Sequence, residues 1–374
     1  DAQAAELNLR LGWTLTFAGR LEEGMAAVER ALVAGEALGL PELLSDALSG
    51  AAANLHFAGR PEQSRALDEA AARLAEREGL NHARMRALSN LGETLLARDD
   101  PQAEAAVTEA LAIAGRLGNR GFEFIAGGNL MEVHLYRGRW GEVRRLAAEL
   151  LDSDLQQPHT GYVHARLAVL EALSGDAEAA TRQLAACAQW AEAEDVEDRH
   201  IHAATRLAVA LAVGRVEEAR DLGRAAARAA IADLGATHMT SRLAWPEALD
   251  AALAAGDEAT GRELLDLLDA QPPGLLPRYL RAQRARGRGL LAGGREEAER
   301  ELAAAVAAFG ALGYPYWQAR ARLDLAGWLV EHDRAAEAAE PLEAATAALT
   351  ELGAAPGLRA ADALAARVPQ ISRA

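Results

Sequence analysis

Nine histidines, one cysteine and a run of arginines are the side chains of this 374-residue chain best suited to chemistry, and their spacing argues against most of it. His159, His164, His200 and His202 come nearest to a ligand cluster. No histidine pair stands four residues apart and no His-Glu-x-x-His occurs, so no metal centre is expected. Cys187 stands alone, which rules out a disulfide or a thiolate metal site within the chain. Gly287-Arg288-Gly289 resembles a nucleotide loop but lies in helical sequence without a preceding strand, and no Gly-Lys pair is available to start a phosphate-cradling loop. Arg278, Arg281, Arg284, Arg286 and Arg288 form one basic concentration. Arg281, Arg284 and Arg288 share a helix face, suited to an anionic ligand, an acidic segment, or pairing with the chain's own carboxylates. No Ser-His-Asp or Cys-His arrangement can be read from spacing. The chain reads as a non-enzyme without a cofactor.

The elements that would position these residues repeat. A Gly-Arg or Gly-Asp turn recurs at Gly19, Gly59, Gly138, Gly175, Gly214, Gly256 and Gly294, with degenerate copies at Asp99-Asp100 and Asp333-Arg334. Successive copies are 40, 40, 39, 37, 39, 42, 38 and 39 residues apart. A period held over the whole length marks one array of repeats. In the first unit Leu7, Leu11 and Leu15 form a helical stripe, Gly19-Arg20 breaks it, and Met25, Val28, Leu32 and Leu38 continue at helical spacing to Gly39-Leu40-Pro41. Each unit is therefore a pair of antiparallel helices whose bare apolar face the next unit must cover. Gln271 to Pro277 holds three prolines and is expected to be a loop, a bend or hinge in the array. We expect an all-α superhelix of about nine hairpins over residues 1–356, with a capping helix and tail over 357–374.

Composition narrows the partners. The chain is 51% hydrophobic but 4% aromatic, with much of the apolar share alanine, which favours thin, closely stacked helices. A net charge of −16 disfavours nucleic acid and anionic membranes as partners. No apolar run reaches membrane-spanning length. The chain opens on Asp1, as expected of a piece of a longer, cytoplasmic protein.

These units resemble tetratricopeptide repeats. The resemblance rests on Leu11-Gly12 with Leu15 and Gly19, Leu91-Gly92 with Leu95, and Leu325-Ala326 with Leu329, and on the small residues Gly24, Ala180, Ala219, Gly261 and Ala338 after the turns. The period is near 39 where the family's is 34, and Met131, Leu207 and Leu249 stand where a small residue is usual. The ending Phe309 to Trp317, with Leu352-Gly353-Ala354-Ala355-Pro356, is similar to the last repeat of bacterial signal-transduction ATPase regulators that carry helix-turn-helix or nucleotide-cyclase outputs. The resemblance implies a right-handed superhelix whose first helices line a concave groove, with the position nine residues before each turn pointing into it. That position holds Arg10, Asn90, Asn129 and Arg166. In the family, asparagines there bind the backbone of an extended peptide. By the same count Trp13, Phe17, Phe57, Glu132 and Tyr136 are groove candidates, and Arg281, Arg284 and Arg288 add a basic patch. The implied partner is a peptide, a protein segment or a small effector, with the parent chain's ATPase domain coupled to its capture. The same residues also suit solvated faces and gaps between hairpins.

Overall fold

The computed structural model describes residues 1–152 and 160–368. His159 and the tail beyond residue 368 lie outside the described residues. The described residues form nineteen α-helices and two short 3-10 turns, with no strand. Eighteen helices make nine hairpins: α1 (Ala2–Phe17) with α2 (Leu21–Leu38), α3 (Pro41–Phe57) with α4 (Pro61–Arg77), and α5 (Asn81–Ala97) with α6 (Ala103–Leu117) come first. Next are α7 (Arg120–Tyr136) with α8 (Trp140–Leu151), α9 (Thr160–Ser174) with α10 (Ala177–Ala186), and α11 (Val196–Ala212) with α12 (Val216–Leu234). The last are α13 (Met239–Ala254) with α14 (Glu258–Asp269), α15 (Arg278–Leu291) with α16 (Arg295–Leu312), and α17 (Pro315–Glu331) with α18 (Ala335–Leu352). Helix α19 (Ala355–Ala365) packs Ala361 and Leu364 onto the last hairpin.

The turn chemistry explains the period. Gly59 sits at φ 68°, in the left-handed region that a side chain disfavours, and the degenerate copies Asp99 and Asp333 adopt the same geometry at 58° and 61°. Aspartate is among the few residues besides glycine that tolerate it. Gly294 departs from the pattern: it is extended at φ −125° and leads directly into α16.

Within hairpins, backbones approach closely where a side chain is missing. A Cβ on Gly92 would stand 2.3 Å from Val107 Cγ2, and one on Gly12 would stand 2.5 Å from Val28 Cγ2. Where the first helix carries a large residue, the second supplies the gap. Leu207 faces Gly223, and Leu249 packs against Gly261 and Gly287. Two of the three departures from the repeat pattern are thus absorbed by compensating glycines.

The array also closes on itself. Val196 touches Gly19, 177 residues earlier, and Pro315 touches Gly138 at the same separation. Pro356 lies 181 residues beyond Gly175, which it contacts. His238 packs on His56, ring centroids 5.2 Å apart and 182 residues along the chain. Asp99 Oδ2 accepts a hydrogen bond from the Tyr279 N–H at 2.8 Å, across 180 residues. The near-constant offset means that one coil takes about four and a half hairpins, so the turns of the first coil rest on the helix starts of the second. Buried charge seals this seam. Arg242 and Asp99, both with fully buried side chains, pair at 2.7 Å, and the guanidinium lies 4.5 Å and 4.8 Å from the ring centroids of Tyr136 and Tyr279. The proline loop is pinned rather than a free hinge, because Arg98 donates to the Gly274 carbonyl at 2.9 Å.

Candidate functional site

The odd-numbered helices turn their polar stripe inward, but the expected continuous trough does not form. Contacts between coils, such as His238 with His56 and Tyr279 with Asp99, occupy part of the lumen. What stays open is a cavity of about 860 Å3 at the N-terminal end, bounded by α1, α3, α5, α7, α9 and the start of α11. Five expected groove residues line it: Arg10, Trp13, Phe17, Asn90 and Asn129. Trp13 and Phe17 stack at 5.7 Å, and Phe17 meets Phe57 edge-on at 5.7 Å. Phe122, Ile125 and Tyr162 complete the apolar wall.

The two asparagines differ in their commitments. The Asn90 amide donates to Ser49 Oγ at 3.0 Å, and that hydroxyl donates to the buried Asp68 at 3.0 Å, so a buried relay fixes the Asn90 orientation. Asn129 is 4% exposed, yet among the described residues its amide has no hydrogen-bond partner. Its amide faces the cavity and is free to meet a ligand there.

The cavity floor is acidic. Glu93 comes from α5, while Asp195 and Glu197 come from the cap and first turn of α11, which coil closure carries beneath α1. Asp195 accepts the Glu197 N–H at 2.8 Å. Burial, then the charges of Glu93 and Asp195, push Glu197 well above the usual carboxylate range. Burial and Asp195 push Asp198 up to about 7. Two imidazoles flank these groups, and burial and the neighbouring His56 push His238 down to about 3.

His56, Glu93 and His238 offer ligand atoms within 4.8 Å of one another, a grouping suited in spacing to a cation such as zinc. The tautomer opposes it. His238 Nδ1 accepts the Thr240 N–H at 3.2 Å as the cap of α13, which leaves the ring proton on Nε2. Nε2 faces Glu93 Oε1 at 3.7 Å and Glu197 Oε1 at 3.8 Å as a donor, whereas a metal-bound histidine normally donates from its other nitrogen. His164, His200 and His202, weighed from spacing, are not part of this grouping; His164 bonds Gln183 and His200 bonds Asp233.

The other expected groove residues lie elsewhere. Phe57 is stacked on His238 at 5.6 Å. Tyr136 is 6% exposed, inside the aromatic seam with Tyr279 and Tyr314. Arg166 and Glu132 are buried and spend their charges on each other at 2.7 Å. They and Tyr136 border a crevice of only about 30 Å3, because packing between coils occupies the space an open trough would have left. Arg284 and Arg288 both pair with Asp269, at 3.3 Å and 2.6 Å, and Arg281 borders a shallow alanine-lined hollow between α15 and α16. The inward arginine of that helix is Arg286, bound to Asp250 and Asp324.

Sequence reasoning missed Glu93, Glu197, His56 and His238, which come from two pairs of neighbouring hairpins brought together by coil closure. The Glu194 to Asp198 stretch, four acids in five residues, was the one visible signal.

No protein-family model and no curated protein matches the chain. Among solved structures, a circular tandem repeat protein with novel repeat topology and enhanced subunit contact surfaces is similar over 98% of this chain and 99% of its own. Its sequence is 19% identical and the TM-score is 0.22, so the solenoid assignment stands on the helix pairing of this chain itself.

Proposed function

We propose that this chain is a non-catalytic, tetratricopeptide-like interaction module that captures an extended peptide or protein segment in its N-terminal cavity. The observation that carries the reading is Asn129, whose unpartnered amide lies among aromatic walls and beside the oriented amide of Asn90. A peptide backbone supplies the alternating donors and acceptors that such amides satisfy, and Trp13, Phe17 and Phe122 offer the rigid aromatic area typical of interface anchors. The resemblance of the last repeat to signalling regulators supports placing the module as the sensor arm of a cytoplasmic signalling ATPase or transcription regulator, with capture altering its contacts to the ATPase domain.

The test is an array of immobilised pentapeptides probed with the purified chain. Captured peptides are expected to compete for one site and to lose binding in Asn90→Ala/Asn129→Ala, whose helicity by circular dichroism matches the parent. Capture that is indifferent to the double substitution contradicts the assignment.

A second reading, an oligomerisation or autoinhibitory scaffold, draws on the first hairpin. Leu7, Leu11, Val33 and Leu38 are 47–64% exposed there. Light scattering that shows self-association abolished by Leu11→Glu/Val33→Glu, with no peptide captured, favours the scaffold.

A further inference from the structure

Resting on the capture reading, we infer that the segment enters this cavity with a lysine or arginine side chain, whose cationic head seats on Glu197 and Glu93. Acidic groups outnumber basic ones in the cavity lining. Six carboxylates and two arginines line the cavity. Both arginines are already spent: Arg10 pairs with Glu6 at 2.6 Å, and Arg86 grips Asp46 through two nitrogens. Asp195 is engaged in capping α11. Glu197 is 7% exposed and, among the described residues, accepts no hydrogen bond; its nearest partner is the neutral His238 at 3.8 Å. Glu93 faces only imidazoles, His56 at 3.5 Å and His238 at 3.7 Å, and its Oε1 has no hydrogen-bond partner. Arg166, the nearby permanent cation, pairs with Glu132, and its field also reaches Glu93 and Glu197.

Burial favours the protonated form of Glu197, and a cationic head entering the open chamber supplies the counter-charge that lets it ionise beside Glu93. The walls fit the same chemistry. Trp13, Phe17 and Tyr162 present ring faces and edges on the way in, which suits the methylene stem of a basic side chain and adds attraction for its charged head. An acidic segment would meet the opposite field and stay out.

The probes are acetylated, amidated alanine pentapeptides with a central lysine, norleucine or glutamate, together with free n-butylammonium, titrated calorimetrically into the whole chain. The lysine peptide is expected to bind at least tenfold tighter than the norleucine peptide. Glu197→Gln is expected to erase that advantage, and Arg281→Ala, outside the cavity, to preserve it. Should Glu197→Gln fail to fold, Glu93→Gln reads the same contrast. Norleucine or glutamate peptides that bind as well as lysine overturn the cationic head but leave capture standing. Butylammonium that binds as tightly as the peptide overturns the segment as its source. If no probe binds, both the cationic inference and the capture reading fall.

Discussion

Asp99 sits at the turn of the third hairpin in place of a glycine, and the seam converges on it: Arg242, Tyr279 and Tyr314 all bond its carboxylate. Removing one partner of a fully buried pair leaves a charge with nothing to answer it, which costs about 3–5 kcal/mol. Arg242→Ala should therefore lower unfolding stability by about that amount, while Asp99→Gly/Arg242→Met should recover much of it; equal losses in chemical denaturation would contradict the pairing. Asp198 makes a pH prediction. Its pKa is raised to about 7 in the fold, above the ordinary value of 3.8, so the native state holds the extra proton between those values. Stability must then fall as pH rises from about 4 to about 7. Asp198→Asn lacks this term and should gain on the parent in melting temperature across that window. Parallel curves from the two proteins would refute the assignment. Here the sequence was partly legible: Asn90 and Asn129 share one position in the repeat and both line the cavity, because position within a repeat fixes which way a helical residue faces. The partners of Glu93 were not, because His238 comes from more than three hairpins farther along the chain.

At the scale of helices, the period and the turns were readable because each turn needs a left-handed residue and few residues supply one. The packing logic was readable too, once small and large residues are paired across a hairpin. Gly92→Ala would place a methyl 2.3 Å from Val107 Cγ2, in an interior with no slack. Such overpacking costs about 1–3 kcal/mol, and a second change, Val107→Ala, should restore part of it. A melting temperature unmoved by Gly92→Ala would show that the two helices are farther apart than described. The proline stretch was read as a loop from its composition and is one, and Arg98 from another hairpin holds it. Composition reports what a segment can do, and a distant partner decides what it does.

For the whole molecule, the governing fact is the offset of about 180 residues that links one coil to the next through Gly19, His56, Asp99, Gly138 and Gly175. A repeat pattern read unit by unit predicts stacking between neighbours; it carries no information on pitch, which accumulates from small rotations at every interface. The open trough was the natural expectation, and a partly filled lumen with one chamber is what the pitch produces. Closure also explains why the chamber is acidic, since it brings the Asp195 and Glu197 end of α11 under α1.

Cross-linking the two coils tests this most directly. In a Cys187→Ala background, Gly19→Cys/Val196→Cys places thiols where a Cβ on residue 19 would lie 3.4 Å from Val196 Cγ2, within the geometry a disulfide accepts. On mild oxidation the closed coil predicts a monomer with an internal disulfide and helicity unchanged. Free thiols, or cross-links only between molecules, would mean that the array is open and that the chamber described here does not exist.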